Sequence, residues 1–169
     1  MAKFELFAPL LFASEKGWSD DPDDTGGATM DGVTLETYRR WRKSKGKLFT
    51  NKADLRSLTR GEWTEIMKTL YWDKVKGDLL KSQSVANIWA DWAVNSGPKT
   101  ATKHVQKLLG VTADGIVGAK TIAAANSFPA RNLFAKIKSA RDSYYRGLPN
   151  AWKFLRGWLN RLARFEYVG

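Results

Sequence analysis

Apolar residues recur along this chain at helical spacing far more often than at strand spacing. Phe4, Phe7 and Leu11 stand at offsets 0, 3 and 7, which predicts a helix over 4–15 with one buried stripe, and Glu15 at offset 11 continues it. Thr34 is an N-cap candidate ahead of Leu35, Tyr38 and Trp41, so a short helix is expected over 34–42, followed by a basic loop over 43–52. Thr59-Arg60-Gly61-Glu62 has the form of a capping box, and Trp63, Ile66, Met67 and Leu70 follow at helical spacing, which predicts a helix over 60–72. Val85, Ile88, Trp89, Trp92 and Ala93 share one face of a helix over 83–95 that Asn95-Ser96-Gly97-Pro98 stops; this should be the most buried helix. Pro98 opens another, with Ala101, Val105, Leu108 and Leu109, closed by Gly110. A small-residue helix over 119–126 and two more follow. Leu133, Phe134, Ile137, Ala140, Arg141 and Tyr144 line one, and Trp152, Leu155, Trp158, Leu159 and Leu162 the other. The expected class is mainly α. Only the Asp- and Gly-rich stretch before Thr34 breaks the pattern, and a small hairpin is expected there, near 24–34.

Composition narrows the chemistry. At 169 residues, 43% hydrophobic and with eight Trp, the chain has material for one domain or one domain with a small module. It has no cysteine, which excludes disulfides, thiolate metal sites and a thiol nucleophile, and its single histidine, His104, argues against a His-rich zinc site or a Ser-His-Asp triad. Carboxylates are left to do any catalysis. The charge of +11 is lopsided: residues 1–95 carry 15 Lys+Arg against 14 Asp+Glu, whereas 96–169 carry 13 against 3. Two regions are therefore expected, a nearly neutral one over 1–95 and a basic one over 96–169, packed into one globule. The second implies attraction to an anionic polymer or surface: nucleic acid, a phospholipid membrane surface, or the anionic groups of a cell wall. Nucleic acid is not expected, because no helix-turn-helix or RNP motif is present.

No run approaches the roughly 20 apolar residues that span a bilayer. The apolar start is interrupted by Glu5 and Pro9 and carries the helical stripe, so it reads as mature structure rather than a signal peptide. The expectation is synthesis in the cytoplasm, with any target outside it reached by another route. The segment 151–165 sets Lys153, Arg156, Arg161 and Arg164 beside Trp152 and Trp158, and reads as a packed helix with a solvated basic face.

Glu15 and Asp24 are the informative carboxylates. A Glu on the stripe of core side chains is partly desolvated, and desolvation raises a carboxyl pKa, as donation of a proton to a glycosidic oxygen requires. Asp24, in a wet turn nine residues on, should stay ionised. Asp21-x-Asp23-x-Thr25-Gly26 imitates the start of a calcium loop, but Gly32 stands where the bidentate Glu is needed, so no metal is expected.

Three strings together carry a resemblance: Glu15-Lys-Gly-Trp18, Asp21-Pro-Asp-Asp-Thr-Gly-Gly-Ala-Thr29 and Gly32-Val-Thr34. Their order and spacing resemble the signature of the glycoside hydrolase 108 family, lysozyme-like N-acetylmuramidases of phages and bacteria. The likeness continues through Tyr71-Trp72-Asp73 and Val94-Asn95-Ser96-Gly97. Ala113-Asp114-Gly115-Ile-Val-Gly118-Ala-Lys-Thr121 is similar to a loop of the peptidoglycan-binding segment that accompanies the family. The resemblance implies an endolysin with a lysozyme-like helical fold, its catalytic region over 1–95, that reaches the wall by a route such as a holin; the chain is expected to be a monomer that needs no cofactor. It would cleave the β-1,4 bond between N-acetylmuramic acid and N-acetylglucosamine, with Glu15 as general acid. Asp24 is the candidate base, with Thr29 or Thr34 orienting a water. Tyr71 and Trp72 are candidate stacking platforms for sugar rings, and Asn95 is a candidate partner for an acetamido group or a helix C-cap. Two other readings stay open: a wall-binding or secretion-assisting module without turnover, and a lytic transglycosylase using the same Glu.

Overall fold

Phe4, Phe7 and Leu11 are all buried along α1 (Phe4–Ser14), as their spacing predicts, and the helix stops one residue before Glu15. The computed structural model describes residues 1–15, 17–22 and 27–169. The later helices are α2 (Leu35–Ser44), α3 (Lys52–Arg56), α4 (Arg60–Met67), α5 (Gln83–Ser96), α6 (Pro98–Leu109), α7 (Ala119–Ser127), α8 (Ala130–Arg146) and α9 (Ala151–Ala163). A π-helical turn, Lys68–Trp72, follows α4, so the stretch predicted as one helix over 60–72 changes its winding at Lys68. Strands β1 (Trp18–Ser19), β2 (Thr29–Met30) and β3 (Val33–Thr34), two residues each, pair antiparallel in that order. The result is the expected mainly α, lysozyme-like architecture with a small hairpin. Among the described residues, no helix is long and apolar enough to cross a membrane.

Two compact units make up the chain, 8–67 and 1–7 with 68–169. Within the second unit, α5 packs on both α6 and α8.

In the unit 8–67, Thr34 caps α2 as predicted, its Oγ1 accepting the Thr37 N–H at 3.1 Å. The basic loop expected over 43–52 is shorter, because α3 begins at Lys52 behind a reciprocal cap: Asn51 Oδ1 accepts the Asp54 N–H and Asp54 Oδ2 accepts the Asn51 N–H. The Thr59–Glu62 box forms in the same way at the start of α4.

In the other unit, α5 is the predicted central helix, buried from Ser84 to Ala93, with Trp89 and Trp92 wholly enclosed. His104 stacks on Trp92 with ring centroids 5.1 Å apart, and burial, followed by the nearby Lys107 charge, holds its pKa below the usual value. The Asp-Gly loop after α6 is organised by Gln106. Its amide donates to Asp114 Oδ1, Ile116 O and Thr121 Oγ1, while its oxygen accepts the Gly115 N–H. Trp152, expected on the inner stripe of α9, is 84% exposed at the helix start.

Candidate active site

The site grows from the end of α1. Glu15 is half-buried and its N–H still donates to Phe12 O at 3.3 Å, so the last helical turn aims the residue. Gly17, with φ of 91°, then swings the chain into β1, a backbone conformation that glycine adopts freely. Facing this turn is the β2–β3 turn, Asp31-Gly32, with φ of 47° and 79°. The two turns are joined twice: the Gly17 N–H donates to Asp31 Oδ1 at 2.7 Å, and the Asp31 N–H donates to Gly17 O at 3.0 Å. Trp63 Nε1–H donates to Asp31 O at 2.9 Å, which ties the hairpin to α4.

Gly32 lies directly against the Glu15 side chain. A Cβ at position 32 would sit 2.6 Å from Glu15 Oε2, 2.7 Å from its Cδ and 2.8 Å from its Cβ. Glycine is thus demanded twice, by the positive φ and by the space that the catalytic candidate occupies.

The aromatic surround is cationic. Arg60 lies over Phe12 at 3.6 Å and over Trp63 at 4.5 Å, and Arg56 over Trp18 at 4.3 Å. Arg42 pairs with Asp54 at 2.9 Å. The backbone hydrogen bond from Asn51, then Arg42, hold the Asp54 carboxyl below the usual range.

Of the predicted residues, Glu15, Thr29 and Thr34 fall in the unit 8–67, and Tyr71, Trp72 and Asn95 in the other. Asp24 lies outside the described residues, as do Lys16, Asp23, Thr25 and Gly26 of the same motif. Thr29 of β2 is half-buried and sits directly opposite Thr34 of β3. The Thr34 hydroxyl is committed to helix capping, also donating to Thr37 Oγ1 at 3.0 Å.

Trp72 corrects an expectation. It is wholly buried, stacked on Phe7 at 5.4 Å and edge-on to Phe4 at 5.9 Å, with its Nε1–H donating to Asp78 Oδ1 at 2.7 Å. A ring enclosed on this scale offers no face to a sugar. Tyr71, next to it, is half-buried. Asn95 is half-buried within the last turn of α5 and is not the C-cap, a role that Gly97 takes at φ of 86°. Sequence reasoning missed Asp31, although Asp-Gly between apolar flanks is a turn signal.

Residues 8–97 match the profile of the family described as Glycosyl hydrolase 108. The chain belongs to that family. Residues 100–163 match a second profile, Predicted Peptidoglycan domain, so this member of glycosyl hydrolase family 108 is a peptidoglycan-active protein of glycosidase type. It is similar to the solved structure of SagA from Brucella abortus, with 38% identity, a TM-score of 0.87, and coverage of 96% of this chain and 90% of that one. No curated protein sequence matches it.

Proposed function

We propose that this family 108 glycosidase is an N-acetylmuramidase: it hydrolyses the β-1,4 bond between N-acetylmuramic acid and N-acetylglucosamine, with Glu15 as general acid. One observation carries the reading: the Glu15 carboxyl is held at a helix end against a glycine that leaves no room for any other residue. Proton donation to a leaving oxygen demands such a fixed carboxyl, since catalysis falls steeply with misplacement. As Glu15 protonates the glycosidic oxygen, the bond breaks through an oxocarbenium-like state that a second carboxylate stabilises or traps by activating water. Asp24 is our candidate for that group, with Thr29 orienting the water. Tyr71 and Asn95 remain candidate substrate contacts. The basic segment after residue 96 would hold the enzyme on the anionic wall.

Mass spectrometry of peptidoglycan digested by the full chain tests this directly. The expected products are muropeptides ending in reducing N-acetylmuramic acid. Reducing N-acetylglucosamine ends, 1,6-anhydro ends one water lighter, or no release at all would each overturn the assignment.

Gly32→Ala is expected to lower muropeptide release at least about 10-fold, because the new methyl must displace the Glu15 carboxyl. The positive φ adds about 1 kcal/mol of backbone strain, so the turnover of the folded variant is compared with its thermal stability. Wild-type turnover would show that the carboxyl does not need its seat on Gly32.

A further inference from the structure

We propose that Asp31 is a positioning residue for Glu15, acting through the turn at Gly17; this rests on the reading of Glu15 as the general acid. Gly17 stands two residues beyond Glu15 and is of the residue type with the least conformational preference of its own. What fixes it is Asp31, through a short bond from its N–H to Oδ1 at 2.7 Å and the return bond from the Asp31 N–H to Gly17 O at 3.0 Å. The first has a carboxylate acceptor and gains strength from its charge.

Asp31 is itself held. Its carbonyl accepts the indole N–H of Trp63, a side chain only 1% exposed and packed edge-on against Phe12 at 5.3 Å. The chain Trp63–Asp31–Gly17 therefore runs from a buried anchor to the segment bearing Glu15, while Gly32, the next residue, abuts the Glu15 carboxyl itself. Asp31 adopts φ of 47°, one of two non-glycine residues with positive φ among those described. Glycine would relieve that backbone cost but would remove the acceptor; Asp and Asn are the side chains that tolerate the conformation and reach a neighbouring amide. Strain kept at a position whose side chain orders a candidate catalytic turn is the pattern expected of pre-organisation.

The test compares Asp31→Gly, which keeps the backbone geometry and deletes the acceptor, with Asp31→Asn, which keeps both. On purified cell wall, Asp31→Gly is expected to lower kcat by about 10- to 100-fold with KM and thermal stability little changed. Asp31→Asn should restore kcat to near the wild-type value. Amide exchange supplies a readout independent of turnover: the Gly17 N–H is expected to be protected in the wild type and in Asp31→Asn, and to exchange freely in Asp31→Gly. Wild-type kcat in Asp31→Gly, an Asn variant as impaired as the Gly variant, or an unprotected Gly17 amide in the wild type would overturn the proposal. The exchange measurement on the wild type decides even if Asp31→Gly does not fold. Activity in Glu15→Gln would overturn the acid assignment and this proposal together, whereas an inactive Glu15→Gln beside a fully active Asp31→Gly would overturn this proposal alone.

Discussion

Glu15→Gln is expected to lower muropeptide release by about 10²- to 10⁴-fold, the range that a positioned general acid contributes, while leaving the thermal transition almost unmoved. The two side chains have nearly the same shape, so the amide fits the seat on Gly32 that the carboxyl occupies. It lacks the proton that the leaving oxygen must receive. Glu15→Asp separates charge from reach: it keeps the acid but withdraws it by one methylene, and a displacement of that order costs about 10²-fold where geometry is demanding. The measurement is release of soluble muropeptides from purified wall at matched concentrations of folded protein, with circular dichroism confirming the fold. A folded Glu15→Gln protein that kept more than about a tenth of wild-type activity could not be reconciled with proton donation by this residue. Because the substitution leaves the basic segment intact, binding to intact wall should persist, which separates loss of chemistry from loss of attachment.

Helix positions were legible because their physics is local. The Phe4–Phe7–Leu11 stripe, the Thr34 cap, the Thr59–Glu62 box, and the αL residue Gly110 that closes α6 are each decided within a few residues of sequence. The failures came where a residue's role depends on distant partners. Trp72 and Tyr71 look equivalent in sequence. Only the fold puts Trp72 between Phe7, Phe4 and Asp78, with buried Gly77 so near its ring that a Cβ there would come within 2.2 Å. The α3 helix, which starts at the last residue of the basic stretch, escapes periodicity because it is five residues long, and its Asn51–Asp54 cap was the signal available. In the site, the strings around Glu15 identified the family, but the cross-link between Gly17 and Asp31 spans 14 residues, and pattern reading does not reveal such a pair.

Asp91→Asn is expected to destabilise the protein by about 3–5 kcal/mol, the cost of leaving a buried charge without its partner. Asp91 is wholly buried on α5, with Oδ2 2.6 Å from Arg141 Nη2 of α8 and Oδ1 2.6 Å from Arg161 Nη2 of α9. One carboxylate thus fastens three helices. Arg141 is equally buried, and it also donates to the Tyr145 hydroxyl at 2.6 Å, whose pKa burial pushes up to about 12. Asparagine has the shape of aspartate but no charge, so the Arg141 guanidinium would be stranded, whereas Arg161, at 11% exposure, can reach water. For a chain of this length the loss corresponds to a fall in Tm of about 6–20 °C. Replacing both members of the enclosed pair, Asp91→Leu with Arg141→Met, should recover about half of the deficit, since a buried pair contributes less than either charge costs when left alone. The effect has a pH signature. Burial favours the protonated Asp91, but the charges of Arg161 and Arg141 and their hydrogen bonds outweigh it, so the folded-state pKa lies below the ordinary 3.8. A carboxylate depressed in this way contributes its full stability above the unfolded-state value and loses it as pH falls toward the folded one. Urea unfolding of wild type and Asp91→Asn should therefore differ by a constant amount from neutrality down to about pH 4 and converge below it. A constant difference at every pH would mean that packing, not charge, fastens α5 to α8 and α9.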